Sequence, residues 1–207
     1  MITVHHLNQS RSQRILWLLE ELGLPYEIKF YQRDAVTNLA PPELEAVHPL
    51  GKSPVITDDG KAIAESGAII DYIVRRHGGG RLAPAPGTDA HERYLEWLHY
   101  AEGSAMLPLM INLYVMRLGD KGADLHPRIN DEITRHLGFV NQSLEGRDYL
   151  LDDFTAADVQ MSFAGEVGRA FGRTAALPNL DAWVGRLHAR PAYQRALARG
   201  GAYNIGQ

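Results

Sequence analysis

The sequence predicts a chain in two parts, a small α/β domain followed by an all-helical one. Two observations carry this. Through residue 77, short β-rich runs alternate with helical patterns in the order β-α-β-α-β-β-α. From Ala90 onward the apolar spacing is helical almost throughout. Between them lies HGGGRLAPAPGTD (77–89), rich in Gly and Pro and without periodicity. The expected division is a first domain over 1–77, a linker over 78–88 and a helical domain over 89–207.

The elements follow in order. ITVHH (2–6) is short and β-rich, a candidate buried strand. Residues 12–22 place Ile15, Leu18, Leu19 and Leu22 on one helical face. Gly23 stands where a C-terminal cap belongs, and Pro25 prevents continuation. YEIKF (26–30) alternates like a second strand, and PPELEAV (41–47) suits a short helix with proline in its first turn. PVITDDGKAIA (54–64) reads as a hairpin turning at Asp59-Gly60. ESGAIIDYIVRRHGGG starts a helix near Ser66, buries Ile69, Ile70, Ile73 and Val74, and ends in glycines 78–80. Later helices are expected over 89–118, 127–145, 156–170, 178–189 and 191–199.

Composition narrows the function classes. Lys+Arg number 21 and Asp+Glu 25, a net charge of −4, which argues against a general nucleic-acid binder. There is no cysteine, so disulfides, zinc-thiolate sites and protein thiol nucleophiles are excluded. MITVHHLNQS has neither a basic n-region nor an apolar h-region, and no apolar run approaches a membrane span. The expected setting is cytoplasmic, with no membrane, no nucleic acid and no metal.

Four segments carry chemistry or its support. LNQSRSQR (7–14) places two serines and an arginine at a helix start, a place that suits anions. The glycines of a nucleotide-binding loop are missing there, so nucleotide binding is not expected. HPLGKSPV (48–55) opens a strand with Pro54, which removes one ladder donor. ESGAIIDYI (65–73) begins a helix whose free N–H groups and dipole favour a carboxylate. FTAADVQM (154–161) contains Thr155-x-x-Asp158, a capping box read as a folding element.

In this order and spacing, the four segments resemble the cytosolic glutathione transferases, and the resemblance spans the whole chain. It implies an α/β thioredoxin-like N-terminal domain plus an all-α C-terminal domain. It implies glutathione as co-substrate and a small hydrophobic electrophile as its partner. In the family the proline of the second segment is cis and presents the next residue's backbone to the peptide part of glutathione, here Pro54 and Val55. The logic is strand addition to a free edge. Lys52 is a candidate cation for the glycyl carboxylate. Glu65 and Ser66 match the ammonium and carboxylate of a γ-glutamyl end. Arg11 is a candidate lining residue, and Arg14 is read as a structural charge on the helix.

The family uses Tyr, Ser or Cys at the first loop. Residues 1–25 contain no tyrosine and the chain no cysteine, so it resembles the serine-using, bacterial-like type. A thiol with pKa about 8.5 is mostly protonated at neutral pH. Each unit of depression requires about 1.4 kcal/mol, and one hydrogen bond to a charged group supplies about 1.5–3 kcal/mol. One hydroxyl beside a helix dipole therefore suffices. Ser10 is the expected thiolate donor and Ser12 the helix cap. The reverse stays open, because Ser10-x-x-Gln13 also fits a capping box.

The resemblance further implies a homodimer, with Glu102 or Ser104 of the partner's long helix near the γ-glutamyl end. Tyr100, Met106 and Met110 are candidates for the hydrophobic substrate site, and the tail 200–207 can bring Tyr203 toward it. The expected activity is glutathione transfer. A peroxidase, isomerase or dehalogenase on the same scaffold, or a non-catalytic relative, are the alternatives.

Overall fold

The structure, a computed structural model, describes residues 1–206. Four strands form one mixed sheet in the order β2-β1-β3-β4. β1 (Ile2–Leu7) and β2 (Tyr26–Tyr31) run parallel, joined through α1 (Ser12–Leu22). β3 (Val55–Asp58) lies antiparallel to β1, and β4 (Lys61–Ala64) closes the sheet as a hairpin. The hairpin turns at Asp59 (φ 47°) and Gly60 (φ 76°), the two positive values that a tight two-residue turn requires. α2 (Ser66–Arg76) follows. This is the thioredoxin-like arrangement.

Apolar periodicity becomes a core as expected. Val4, Ile15, Leu18, Leu19, Ile56, Ile69, Ile70 and Ile73 are fully buried. α1 ends at Gly23 (φ 62°), where the Leu24 N–H reaches the Leu19 carbonyl and the Gly23 N–H that of Glu20. Both bonds satisfy carbonyls that a helix end leaves open.

The remaining helices are α3 (Asp89–Tyr100), α4 (Met106–Met116), α5 (His126–Ser143), α6 (Ala156–Ala170), α7 (Pro178–His188) and α8 (Pro191–Gly200). The long helix expected over 89–118 is interrupted. Residues 101–105 form a π-helical turn, in which the Met106 N–H reaches back to the Ala101 carbonyl. Pro108 has no N–H for the carbonyl four residues earlier, and Gly103 is a poor helix former, so the wider turn relieves the strain. At α6 the Thr155–Asp158 box is present with both reciprocal bonds. No helix among the described residues is long and apolar enough to cross a membrane.

The chain divides into two compact units. Among the described residues, the first comprises Met1–Ala83 with His188–Asn204, and the second Pro84–Leu187 with 205–206. α8, grouped with the helical block by sequence pattern, thus belongs to the first unit. There it lies on α1 through ion pairs. Arg190 meets Glu21 at 2.6 Å, while Arg195 and Arg199 both meet Glu20 at 2.9 Å. Trp17 and Tyr193 pack edge to face, with ring centroids 5.2 Å apart.

Candidate functional site

The loop after β1 is shaped by polar contacts. Gln9 adopts φ 50°, a left-handed conformation uncommon outside glycine. Its amide accepts from the Asn204 N–H at 3.0 Å and donates to the Ala202 carbonyl at 3.2 Å. Arg33, just past β2, donates to the carbonyls of Asn8 (3.1 Å), Gln9 (3.2 Å) and Asn38 (3.0 Å). Burial, then the charge of Arg11, lowers the Arg33 pKa. Sequence reasoning missed Arg33, because its partners are main-chain carbonyls that leave no residue-type signal.

Ser10 follows, 4% exposed, with Ser12 fully buried. The expected cap assignment is corrected here. The N-cap position is Arg11, which makes no side-chain cap bond. The Ser10 hydroxyl accepts from the Ser12 N–H at 3.2 Å, and the Ser10 carbonyl from the Gln13 N–H at 3.2 Å. Ser12 instead turns back toward β1. Its hydroxyl lies 2.9 Å from His6 Nδ1 and 3.3 Å from the Leu7 carbonyl. The two serine oxygens are 2.8 Å apart. Ser53 lies 3.3 Å from Ser10 and donates to the His5 carbonyl at 3.3 Å. Three hydroxyls, from the loop after β1, the first residue of α1 and the loop before β3, therefore converge.

The Ser53–Pro54 peptide bond is cis. Val55, expected at a free edge, pairs with His5 of β1 on one side and Ala64 of β4 on the other. β3 is an interior strand, so Val55 does not stand at the margin of the sheet. Lys52 is exposed in the loop ahead of it.

Glu65 precedes α2 with φ 68° and ψ 120°. For a non-glycine residue this costs about 1–3 kcal/mol and recurs at ligand sites. Its side chain is exposed, whereas Ser66 is buried. Arg14, read from sequence as a structural charge, is also buried, and its Nη2 donates to the Ser66 hydroxyl at 2.7 Å. The guanidinium thus fills one lone pair of Ser66 and leaves the Ser66 O–H to donate outward.

Histidines 5 and 6 point to opposite faces of β1, as strand alternation requires. His5 bonds the Tyr31 hydroxyl at 2.9 Å and lies 3.2 Å from the Thr57 hydroxyl. Burial, then the charge of Lys29, lowers its pKa. His6 is lowered by burial and partly restored by a hydrogen bond to the Gly200 backbone.

In the second unit, Met106 is buried. Tyr100 bonds His136 Nδ1 at 2.7 Å, and burial pushes its phenol up to about 12. Met110 is half-buried. Tyr203 is buried within the first unit, and Gln207 lies outside the described residues.

Comparison with known proteins completes the picture. The family model for the glutathione S-transferase N-terminal domain matches residues 1–75. Glutathione S-transferase 3 of Schizosaccharomyces pombe is 38% identical over 178 residues, covering 79% of this chain and 72% of that protein. Glutathione S-transferase 1 of Saccharomyces cerevisiae is 32% identical, covering 93% of this chain and 92% of that one. Among solved structures, a glutathione S-transferase from Actinobacillus pleuropneumoniae matches with TM-score 0.89 and 36% identity, over 100% of this chain and 96% of that chain. A sphingomonad glutathione S-transferase complexed with glutathione matches with TM-score 0.76 and 26% identity, over 96% of this chain and 98% of that one. With the sheet order, the cis-proline loop and relatives of similar length in agreement, this chain belongs to the glutathione S-transferase family.

Proposed function

We propose that this protein joins glutathione to small hydrophobic electrophiles, with the Ser10 hydroxyl donating to the glutathione thiolate. The observation that carries the reading is the meeting of Ser10 with Ser53, 3.3 Å apart, immediately before the cis bond to Pro54. The serine loop and the proline loop thus share one face of the first unit, as a tripeptide site needs. Ser66 and Glu65 receive the γ-glutamyl end, Lys52 the glycyl carboxylate, and the backbone beside Pro54 and Val55 the peptide portion. Arg11 adds positive charge. Tyr100 and Met110 are the proposed contacts of the electrophile.

No metal is required, because a hydrogen bond to a thiolate supplies the needed 1.4 kcal/mol per unit of depression. We read the protein as cytoplasmic and homodimeric. Leu107, Ile111 and Tyr114 form an exposed apolar row at helical spacing along α4, which supports a second copy as partner.

The test is glutathione binding, with the ultraviolet absorbance of bound thiolate followed against pH. Ser10→Ala should raise the pKa of the bound thiol and lower turnover, with little loss of binding. The same effect from Ser12→Ala alone would move the assignment to Ser12. A wild-type protein that binds no glutathione would end the transferase reading.

A further inference from the structure

The row of hydroxyls beneath the serine loop ends on a histidine. Ser10 Oγ lies 2.8 Å from Ser12 Oγ, and Ser12 Oγ lies 2.9 Å from His6 Nδ1. The opposite side of the imidazole is held by the Gly200 backbone of α8. His6 is 3% exposed, and the Phe30 ring stands edge-on to it with centroids 5.8 Å apart.

Hydrogens give this row a direction. A carbonyl only accepts, so Nε2 of His6 carries a proton toward Gly200. In the neutral ring Nδ1 is then an acceptor. Ser12 has one hydroxyl hydrogen, and Nδ1 at 2.9 Å is a nearer acceptor than the Leu7 carbonyl at 3.3 Å, so Ser12 donates to Nδ1 and Ser10 donates to Ser12. The Ser10 proton then faces inward, away from a ligand. For Ser10 to donate to a thiolate while its contact with Ser12 remains a hydrogen bond, Ser12 must donate to Ser10. Nδ1 of His6 must then donate to Ser12. Every bond in the row survives this reversal only when His6 carries protons on both nitrogens.

We propose that His6 accepts the thiol proton through Ser12 and Ser10, and is thereby the positioning residue that turns the serine row toward sulfur. This rests on the transferase reading above. The S–H bond breaks and its electron pair stays on sulfur. That hydrogen binds Ser10 Oγ as the Ser10 hydrogen passes to Ser12 Oγ. The Ser12 hydrogen passes to Nδ1, whose lone pair forms the new N–H bond. One proton has moved from sulfur to nitrogen, and nothing is oxidised or reduced.

The surroundings suit this role. α1 contributes Ser12 and Gln13 around the ring, β2 contributes Phe30, and α8 contributes Gly200. Among the described residues no charged side chain is a cause of the His6 shift. The Gln13 amide is buried and makes no hydrogen bond. Its Oε1 stands 2.7 Å, and His6 Nε2 3.4 Å, from the point where a Cβ on Gly200 would lie. Burial keeps the ring neutral until the sulfur's negative charge is present.

The test is nitrogen-15 NMR of the histidine rings in the intact protein at neutral pH. In the free protein His6 should show a protonated Nε2 and a bare Nδ1. Glutathione should protonate Nδ1, whereas S-methylglutathione, which has no thiol proton, should leave it bare. His6→Asn keeps a polar atom near the Nδ1 position but takes up no proton. It should bind S-methylglutathione as wild type does and raise the pKa of bound glutathione by about one unit or more, a tenfold loss of thiolate below that midpoint. A bare Nδ1 in the glutathione complex, or an unshifted thiol in His6→Asn, overturns the proposal. If Ser10→Ala still raises the thiol pKa in that event, the transferase reading stands without the relay. If wild type forms no bound thiolate, that reading itself is lost.

Discussion

Arg14 and Ser66 come from different helices of the first unit, and their largely buried side chains meet 2.7 Å apart. The guanidinium fixes which way the Ser66 hydroxyl points. Ser66→Ala should therefore weaken glutathione binding about tenfold or more, the worth of one hydrogen bond to a charged group. Arg14→Lys keeps the charge but loses the planar fork. It should weaken glutathione binding in parallel, measured by calorimetry. A variant that loses stability but keeps full affinity would reduce Arg14 to a packing role.

Gln9 makes two hydrogen bonds to the segment after α8 while holding a positive φ. Gln9→Ala should cost about 1–3 kcal/mol of stability for the two bonds together. The Asn204 amide should exchange with deuterium faster in the variant. Unchanged exchange at Asn204 would show that the tail is held by other contacts.

Asp158 collects four donors: the N–H groups of Leu150 (3.0 Å) and Thr155 (2.9 Å), the Thr155 hydroxyl (3.3 Å) and the Trp183 indole (3.0 Å). Asn in its place would set an NH₂ against at least one of these donors. Asp158→Asn should lower stability by about 3 kcal/mol or more, read from urea denaturation. A loss under about 1 kcal/mol would mean the donors find other partners.

Acid sensitivity follows from the two strand histidines. Burial lowers both His6 and His5 below the ordinary 6.5. The unfolded chain takes up their protons near that value, while the folded chain does not. Their contribution is full above pH 6.5 and is lost as pH falls through the folded values. Urea midpoints should be level above about pH 7 and drop below about pH 6. His6→Asn should flatten part of that slope, and an unaltered slope would assign the effect elsewhere.

What the sequence discloses depends on the range of the interaction. β1, α1, the Asp59-Gly60 hairpin and α2 are legible because each is fixed by neighbours a few residues away. Gly23, Gly60 and the Thr155–Asp158 box act within one turn of chain. The interior position of β3 is a matter of strand order, so Val55 looked like an edge residue. Arg14 was legible only as a structural charge on its helix, since Ser66 is far along the chain, and Arg33 carried no signal because the partners of its side chain are carbonyls. The serine loop was legible as the turn into α1, but not the contacts its two hydroxyls make. The local pattern allows either serine to cap, whereas the N-cap position falls on Arg11 and Ser12 turns to His6, a partner the local pattern does not mark.

The place of α8 has a consequence for synthesis. The first unit is discontinuous, since it takes its last helix from residues 188–204. On a ribosome, the sheet and α1 emerge long before that helix. Until then Trp17 lacks the ring of Tyr193, and Glu20 and Glu21 lack their three arginines. The second unit is a nearly continuous segment, whereas the first waits for residues 188–204 before its own packing is complete. A nascent chain halted before α8 leaves one side of α1 open to self-association until residues 188–204 arrive.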